Sequence, residues 1–232
     1  LYKLGRTDVL SDISNAVTLP DPEVRMAALG MLGRLRRPAS LSILSQAVYD
    51  PHPAVRAFAA GALGEFGSTD GIAPLTHALS DENPRVRSVA ASSLGRLGAT
   101  ETRSVVQPLL RDPDEHVRIS AVEALLRLGD ASAVLNAADL ARHPDPSVRG
   151  GAAHALAAAT TPNALTVLES LLRDQQPLPR LMAARALGKL QQKSLISPLK
   201  TGLQDSDPTV RIASAGSLIH ILSRKDKQGS AR

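Results

Sequence analysis

Cysteine is absent from all 232 residues. That excludes disulfides, thiolate metal ligands and a cysteine nucleophile in one step. It leaves the redox compartment open, because a cysteine-free chain suits either setting. Tryptophan is absent too, and the aromatic residues are Tyr2, Tyr49, Phe58 and Phe66 alone, so the core must be built from Leu, Ala, Val and Ile. No apolar run approaches the roughly 18 residues that span a bilayer, and Leu1-Tyr2-Lys3-Leu4 does not open a signal peptide. A chain without membrane insertion, at home in the cytoplasm, is the expectation. Catalytic signatures are missing as well: there is no P-loop, no Gly-x-Ser-x-Gly and no His-Glu-x-x-His. Of the six histidines, His52, His77, His116, His143, His154 and His220, those in different repeats lie too far apart to share a metal bonded at about 2 Å. No catalytic residue, cofactor or metal is therefore expected.

What is present is a rhythm. Arg25, Arg56, Arg87, Arg118, Arg149, Arg180 and Arg211 are spaced 31 residues apart without one insertion. Valine precedes each except Arg180, which follows Pro179, and seven residues after each stands Leu32, Leu63, Leu94, Leu125, Leu156, Leu187 or Leu218. A fixed period of this length marks a repeat architecture. Each unit reads as two helices. The second opens on Asp or Asn followed by Pro, as at Asp21-Pro22, Asn83-Pro84, Asp145-Pro146 and Asp207-Pro208: the side chain accepts from orphan amides of the first turn, and Pro loses no hydrogen bond there. Apolar residues recur at helical spacing, as Val86, Ala90, Leu94 and Leu97 in the second helix and Ile72, Leu75 and Leu79 in the first. Gly67, Gly98 and Gly129 are placed to close second helices through a left-handed cap. Inside the second helices, Gly33, Gly64, Gly95 and Gly188 form another column, broken by Leu126, Ala157 and Ile219. Glycine in mid-helix costs about 1 kcal/mol relative to Ala, so a repeated one implies close helix approach, varying where the column breaks.

Helix pairs in tandem with no strand signal predict an all-α fold, an α-solenoid. The pattern Asp-x-x-Pro-x-Val-Arg followed by Ala-Ala-x-x-Leu-Gly, carried best by residues 50–67, 81–98 and 205–218, resembles the HEAT repeat, in the short form first associated with phycobilisome (bilin) lyases. The resemblance covers residues 1–223 and implies a right-handed α–α superhelix of about seven 31-residue hairpins. Leu1, Leu4 and Gly5 fall in the columns of Leu94, Leu97 and Gly98, so residues 1–5 are expected to be the remnant of a preceding repeat in a longer protein. Residues 224–232 read as a polar tail.

Six residues before most of the arginines stands an acid: Asp50, Asp81, Asp112, Asp174 and Asp205, with Leu19 and His143 as departures. Fixed Asp and Arg columns suit a ladder of charge-assisted hydrogen bonds between adjacent repeats, a feature HEAT proteins of this type share. Setting those seven Arg and five Asp aside lowers the net charge from +5 to +3, which argues against a nucleic-acid track, since phosphate binding needs concentrated basic charge. Resemblance to HEAT-like DNA glycosylases is contradicted by the few scattered aromatics, and resemblance to HEAT-built di-iron hydroxylases by the lack of any His-Glu dipeptide. A bilin-lyase-like subunit and a nucleic-acid-binding HEAT-like protein are the alternatives to a non-catalytic scaffold.

Two columns of the second helices face away from the Leu stripe. One holds Arg34, Glu65, Arg96, Arg127, Ala158, Lys189 and His220; the other holds Gly30, Gly61, Ser92, Glu123, His154, Arg185 and Gly216. A third, Glu23, Ala54, Arg85, His116, Ser147, Leu178 and Thr209, is free of the ladder. The resemblance places second helices on a concave surface. The expected partner-binding residues are therefore Arg34, Arg85, Arg96, Arg127, His154, Arg185 and Lys189. They would engage an acidic or extended protein segment whose backbone approaches at Gly30 and Gly61.

Overall fold

The computed structural model describes residues 8–223; the expected repeat remnant, residues 1–5, and the polar tail, residues 224–232, lie outside them. Seven helical hairpins follow one another: α1 (Asp8–Ala16) with α2 (Pro22–Leu35), α3 (Pro38–Ala47) with α4 (Pro53–Phe66), α5 (Ile72–Ala78) with α6 (Pro84–Leu97), α7 (Arg103–Val106) with α8 (Glu115–Arg127), α9 (Ala133–Leu140) with α10 (Pro146–Leu156), α11 (Pro162–Leu171) with α12 (Pro177–Leu190), and α13 (Ile196–Gly202) with α14 (Pro208–Ser223). No strand occurs among the described residues. None of these helices is long and apolar enough to cross a membrane.

Local chemistry explains where the second helices begin. Asp21, Asn83, Asp145 and Asp207 each accept from the amide two residues on, at 2.7–3.0 Å, with Pro at the first helical position. His52 does the same through Nδ1 at 3.3 Å. The ends follow the predicted cap at Gly67, Gly98 and Gly129, all left-handed. Arg36 and Gln191, in the same column, take that conformation without being glycine (φ 48° and 55°). Each bears the Cβ penalty while its side chain bonds to the following second helix, Arg36 to the Glu65 carbonyl and Gln191 to His220. The first helices are shorter. In α7 the run breaks at Gln107, where a 3-10 turn to Arg111 takes over; Pro108 brings no amide to an α-helical ladder.

The described residues form two compact units, divided between Ala124 and Leu125. In the first, α2, α4 and α6 lie side by side, each backed by its own first helix. In the second, α10, α12 and α14 do the same, backed by α9, α11 and α13. The Leu column is the spine of both cores: Leu32, Leu63, Leu94, Leu125, Leu156, Leu187 and Leu218 are all buried.

The interior glycine column does not behave uniformly. A Cβ on Gly64 would lie 2.6 Å from Ser93 Cβ, one on Gly95 2.7 Å from Ala124 Cα, and one on Gly188 2.6 Å from Ser217 Cβ. At these sites neighbouring second helices are in backbone-scale contact, and at two of the three a serine secures it. Ser93 Oγ donates to the Ala60 carbonyl, and Ser217 Oγ to the Ala184 carbonyl, both at 2.9 Å. Gly33 departs from the expectation of close approach, since its Cβ would meet Ala62 Cβ at an ordinary 3.8 Å.

Candidate protein-binding face

The repeated arginines are structural before they are anything else. In all seven, Nη1 donates to the carbonyls six and five residues back, at 2.7–3.1 Å and 2.8–3.2 Å. This half of the bonding needs no acid, so Leu19 and His143 supply carbonyls as well as Asp does. In five of the seven, Nε and Nη2 also form a bidentate pair, at 2.7–2.8 Å, with the aspartate of the following repeat: Arg25 with Asp50, Arg56 with Asp81, Arg87 with Asp112, Arg149 with Asp174 and Arg180 with Asp205. Each of these aspartates accepts in addition from the amide two residues on, at 2.8–3.0 Å. Arg118, whose counterpart 25 residues on is His143 rather than an acid, pairs with Glu115 at 3.4 Å.

These bonds set the protonation of the ladder. Partial burial raises the Asp112 carboxyl, but the Arg87 hydrogen bonds, the Asp114 amide and the Arg87 charge outweigh it. The group ends below the ordinary carboxylate range, as do Asp50 and Asp81 for the same reasons. For Asp174 and Asp205 the arginine hydrogen bond is itself the largest influence. A carboxyl lowered by folding contributes stability above its unfolded value, near 4, and loses that contribution as pH falls through the lower folded value. The unfolding midpoint should therefore hold steady from neutral pH to about 5 and drop steeply below about 4. Thermal unfolding followed across this range checks it. Arg87→Ala should flatten the acid limb by removing the cause of the Asp112 shift.

A trough of about 570 Å³ runs across the exposed faces of α2, α4 and α6. Its floor is made of small residues, Gly30, Gly33, Ala57, Gly61 and Ala62, beside which stand Met26, Phe58 and Val89. Phe58 is 39% exposed. Space is not what demands glycine here: a Cβ on Gly61 would be 3.6 Å from Val89 Cγ1, and one on Gly30 would meet only the tip of the Phe58 ring, at 3.3 Å. Glu23 and Arg85 line the trough where their helices begin, and Arg34 and Glu65 where theirs end. Arg36, also lining it, donates from Nη2 to the Glu65 carbonyl at 2.9 Å.

Of the residues expected to bind a partner, Arg34 and Arg85 thus come to one trough, with Gly30 and Gly61 beneath them. Arg96 does not line it: its Nη2 donates to Ser93 Oγ at 2.8 Å, over the α4–α6 contact. Arg127, His154, Arg185 and Lys189 belong to the second unit, all exposed. Arg185 and Lys189 share a face of α12, being four residues apart. Sequence reasoning did not single out Met26, Phe58, Glu65 or Val89. Phe58 and Val89 share a column, two residues past the arginine, and an exposed Phe in a chain this poor in aromatics was the available signal. Among the described residues, no three His, Asp or Glu side chains are grouped so as to hold a metal ion.

Models of HEAT repeats match residues 42–115, 104–179 and 169–229. The chain belongs to the HEAT-repeat family. No curated protein matches the sequence. Among solved structures, the complex of CpcE and CpcF of phycocyanin lyase from Nostoc sp. PCC7120 is similar at 22% identity and a TM-score of 0.65, with 91% of this chain and 94% of that one covered. YibA from E. coli is similar at 16% identity and a TM-score of 0.57, with 90% and 91% covered. Human deoxyhypusine hydroxylase aligns over 93% of this chain and 96% of its own at 19% identity, with a TM-score of 0.44. Likeness at these identities is likeness of fold: HEAT repeats serve many ends, and function resides in what a given stack displays.

Proposed function

We propose that this HEAT-repeat chain is a non-catalytic scaffold whose trough across α2, α4 and α6 holds an extended segment of a protein partner. One observation carries the reading. A methyl on Gly61 would make only ordinary contact with Val89, and one on Gly30 would press only on the movable tip of the Phe58 ring, yet interior glycine costs about 1 kcal/mol each relative to Ala. A floor kept bare at that cost, next to an exposed Phe58 and the cations Arg34 and Arg85, suits the close approach of another backbone. A row of helices with distributed contacts suits an elongated partner better than a compact one.

Cross-linking in cells, followed by quantitative comparison of wild type with Arg34→Glu/Arg85→Glu, tests it. Proteins captured by the wild type should be lost from the variant, while its unfolding midpoint remains within a few degrees. An unchanged set of captured proteins discards the trough as the binding site.

A further inference from the structure

The trough carries charge of both signs, and the two signs have different explanations. Glu23 lies in the first turn of α2 and Arg34 in its last turn, where each complements the helix dipole, so their signs serve the helix whether or not they also meet a partner. Arg85 and Glu65 are reversed. Arg85 stands at the second position of α6, whose first turn has no acid, and Glu65 at the penultimate position of α4, whose last turn has no base. Both oppose the dipole of their own helix. Among the described residues neither charge meets an ion-pair partner: Arg85 contributes its backbone amide to the Asn83 cap, and Arg36 reaches the carbonyl of Glu65 rather than its carboxylate. Both side chains are exposed, and both line the trough. Two charges that work against their own helices, at opposite ends of one trough, are explained by something the trough holds.

Resting on the reading of the trough as a peptide site, we infer that its ligand is a segment of mixed charge: a carboxylate meeting Arg85, a cationic side chain meeting Glu65, and apolar character between them against Phe58. Geometry sets the spacing. Arg85 lies two residues before its ladder arginine and Glu65 nine after its own. At 1.5 Å rise per residue along the axis, and with neighbouring helices about 8–10 Å apart, the two are separated by roughly 19 Å. An extended chain covers that in about five or six residues. The segment crosses the helices diagonally, and the order of its charges fixes its direction. This narrows the partner from an acidic or extended segment to an extended one carrying both signs.

A random dodecapeptide library displayed on phage, selected on the immobilised full chain, provides the test. Peptides selected on the wild type should carry an acid and a base about five or six residues apart in one order. The charge-reversed variant Arg85→Glu/Glu65→Arg should bind those peptides at least about tenfold more weakly and should select the opposite order. Each single substitution, Arg85→Glu and Glu65→Arg, should also raise the unfolding midpoint, by roughly 1–3 °C, because each removes a charge opposed to the dipole. Peptides that carry acids alone, or that bind wild type and reversed variant equally while remaining sensitive to Phe58→Asp, overturn the mixed-charge assignment and leave the trough reading intact. A fall in midpoint for both single variants overturns it too, since the charges would then serve the fold. If no selected peptide responds to Phe58→Asp, the trough reading itself fails.

Discussion

Arg87→Ala should lower the free energy of unfolding by about 3 kcal/mol, whereas Arg85→Ala, two residues away, should change it by no more than about 0.5 kcal/mol. The difference lies in what each side chain holds. Arg87 donates to Asp112 through Nε and Nη2, both at 2.8 Å, and to the carbonyls of Asp81 and Glu82 at 2.8 and 3.1 Å. Its side chain is 14% exposed and that of Asp112 8%. Truncation strips these acceptors of their donor and leaves a poorly solvated carboxylate without its cation. That is the costly way to break such a pair; replacing both partners with apolar groups of similar volume would cost much less. Urea denaturation of the two variants, with Asp112→Ala and the double variant completing a cycle, separates the pair's coupling from the loss of the carbonyl bonds. If Arg87→Ala proves as mild as Arg85→Ala, the ladder is ornament and the account of what joins consecutive repeats is wrong.

Glycine gives the second large effect, with opposite signs at two positions. Gly95→Val should destabilise by about 2–3 kcal/mol, because its Cβ would lie 2.7 Å from Ala124 Cα in a buried contact where a backbone cannot withdraw as a side chain can. Gly61→Ala should stabilise by up to about 1 kcal/mol, since the methyl fits 3.6 Å from Val89 Cγ1 and Ala is the better helix former. For a chain of this size 1 kcal/mol corresponds to a shift of about 2–4 °C in the unfolding midpoint, so calorimetry resolves both. Destabilisation by Gly61→Ala would show that this glycine serves packing and would remove the argument that the trough floor is kept bare for a partner.

Much of this was legible without coordinates, because the signals were local or periodic. The Asx-Pro starts act through atoms two residues apart, as Asp145 and Ser147 do at 2.7 Å, so the pattern of types suffices. The buried Leu column follows from a period that returns Leu94 and Leu125 to equivalent faces. Even the Asp column and its pairing across adjacent repeats were visible; which neighbouring arginine each Asp serves was not. Asp112 stands six residues before Arg118, yet there it lends Arg118 only its carbonyl, and it gives its carboxylate to Arg87, 25 residues back. Arg96 shows the same limit: it is exposed, as its column suggested, but the hydrogen bond of its Nη2 to Ser93 Oγ was not legible from spacing.

The sequence by itself determined the helices, their caps, the seven-fold period and the leucine spine, since each depends on contacts within one turn or on spacing alone. Only the tertiary structure decided at which glycines helices come into close contact and which line a trough, and which neighbouring arginine each ladder aspartate serves. For the glycines the outcome turns on a difference of about an ångström in the room left for a Cβ, 2.7 Å from Ala124 Cα at Gly95 against 3.6 Å from Val89 Cγ1 at Gly61. Such differences are set by how whole helices pack, and a glycine is written the same way in either place.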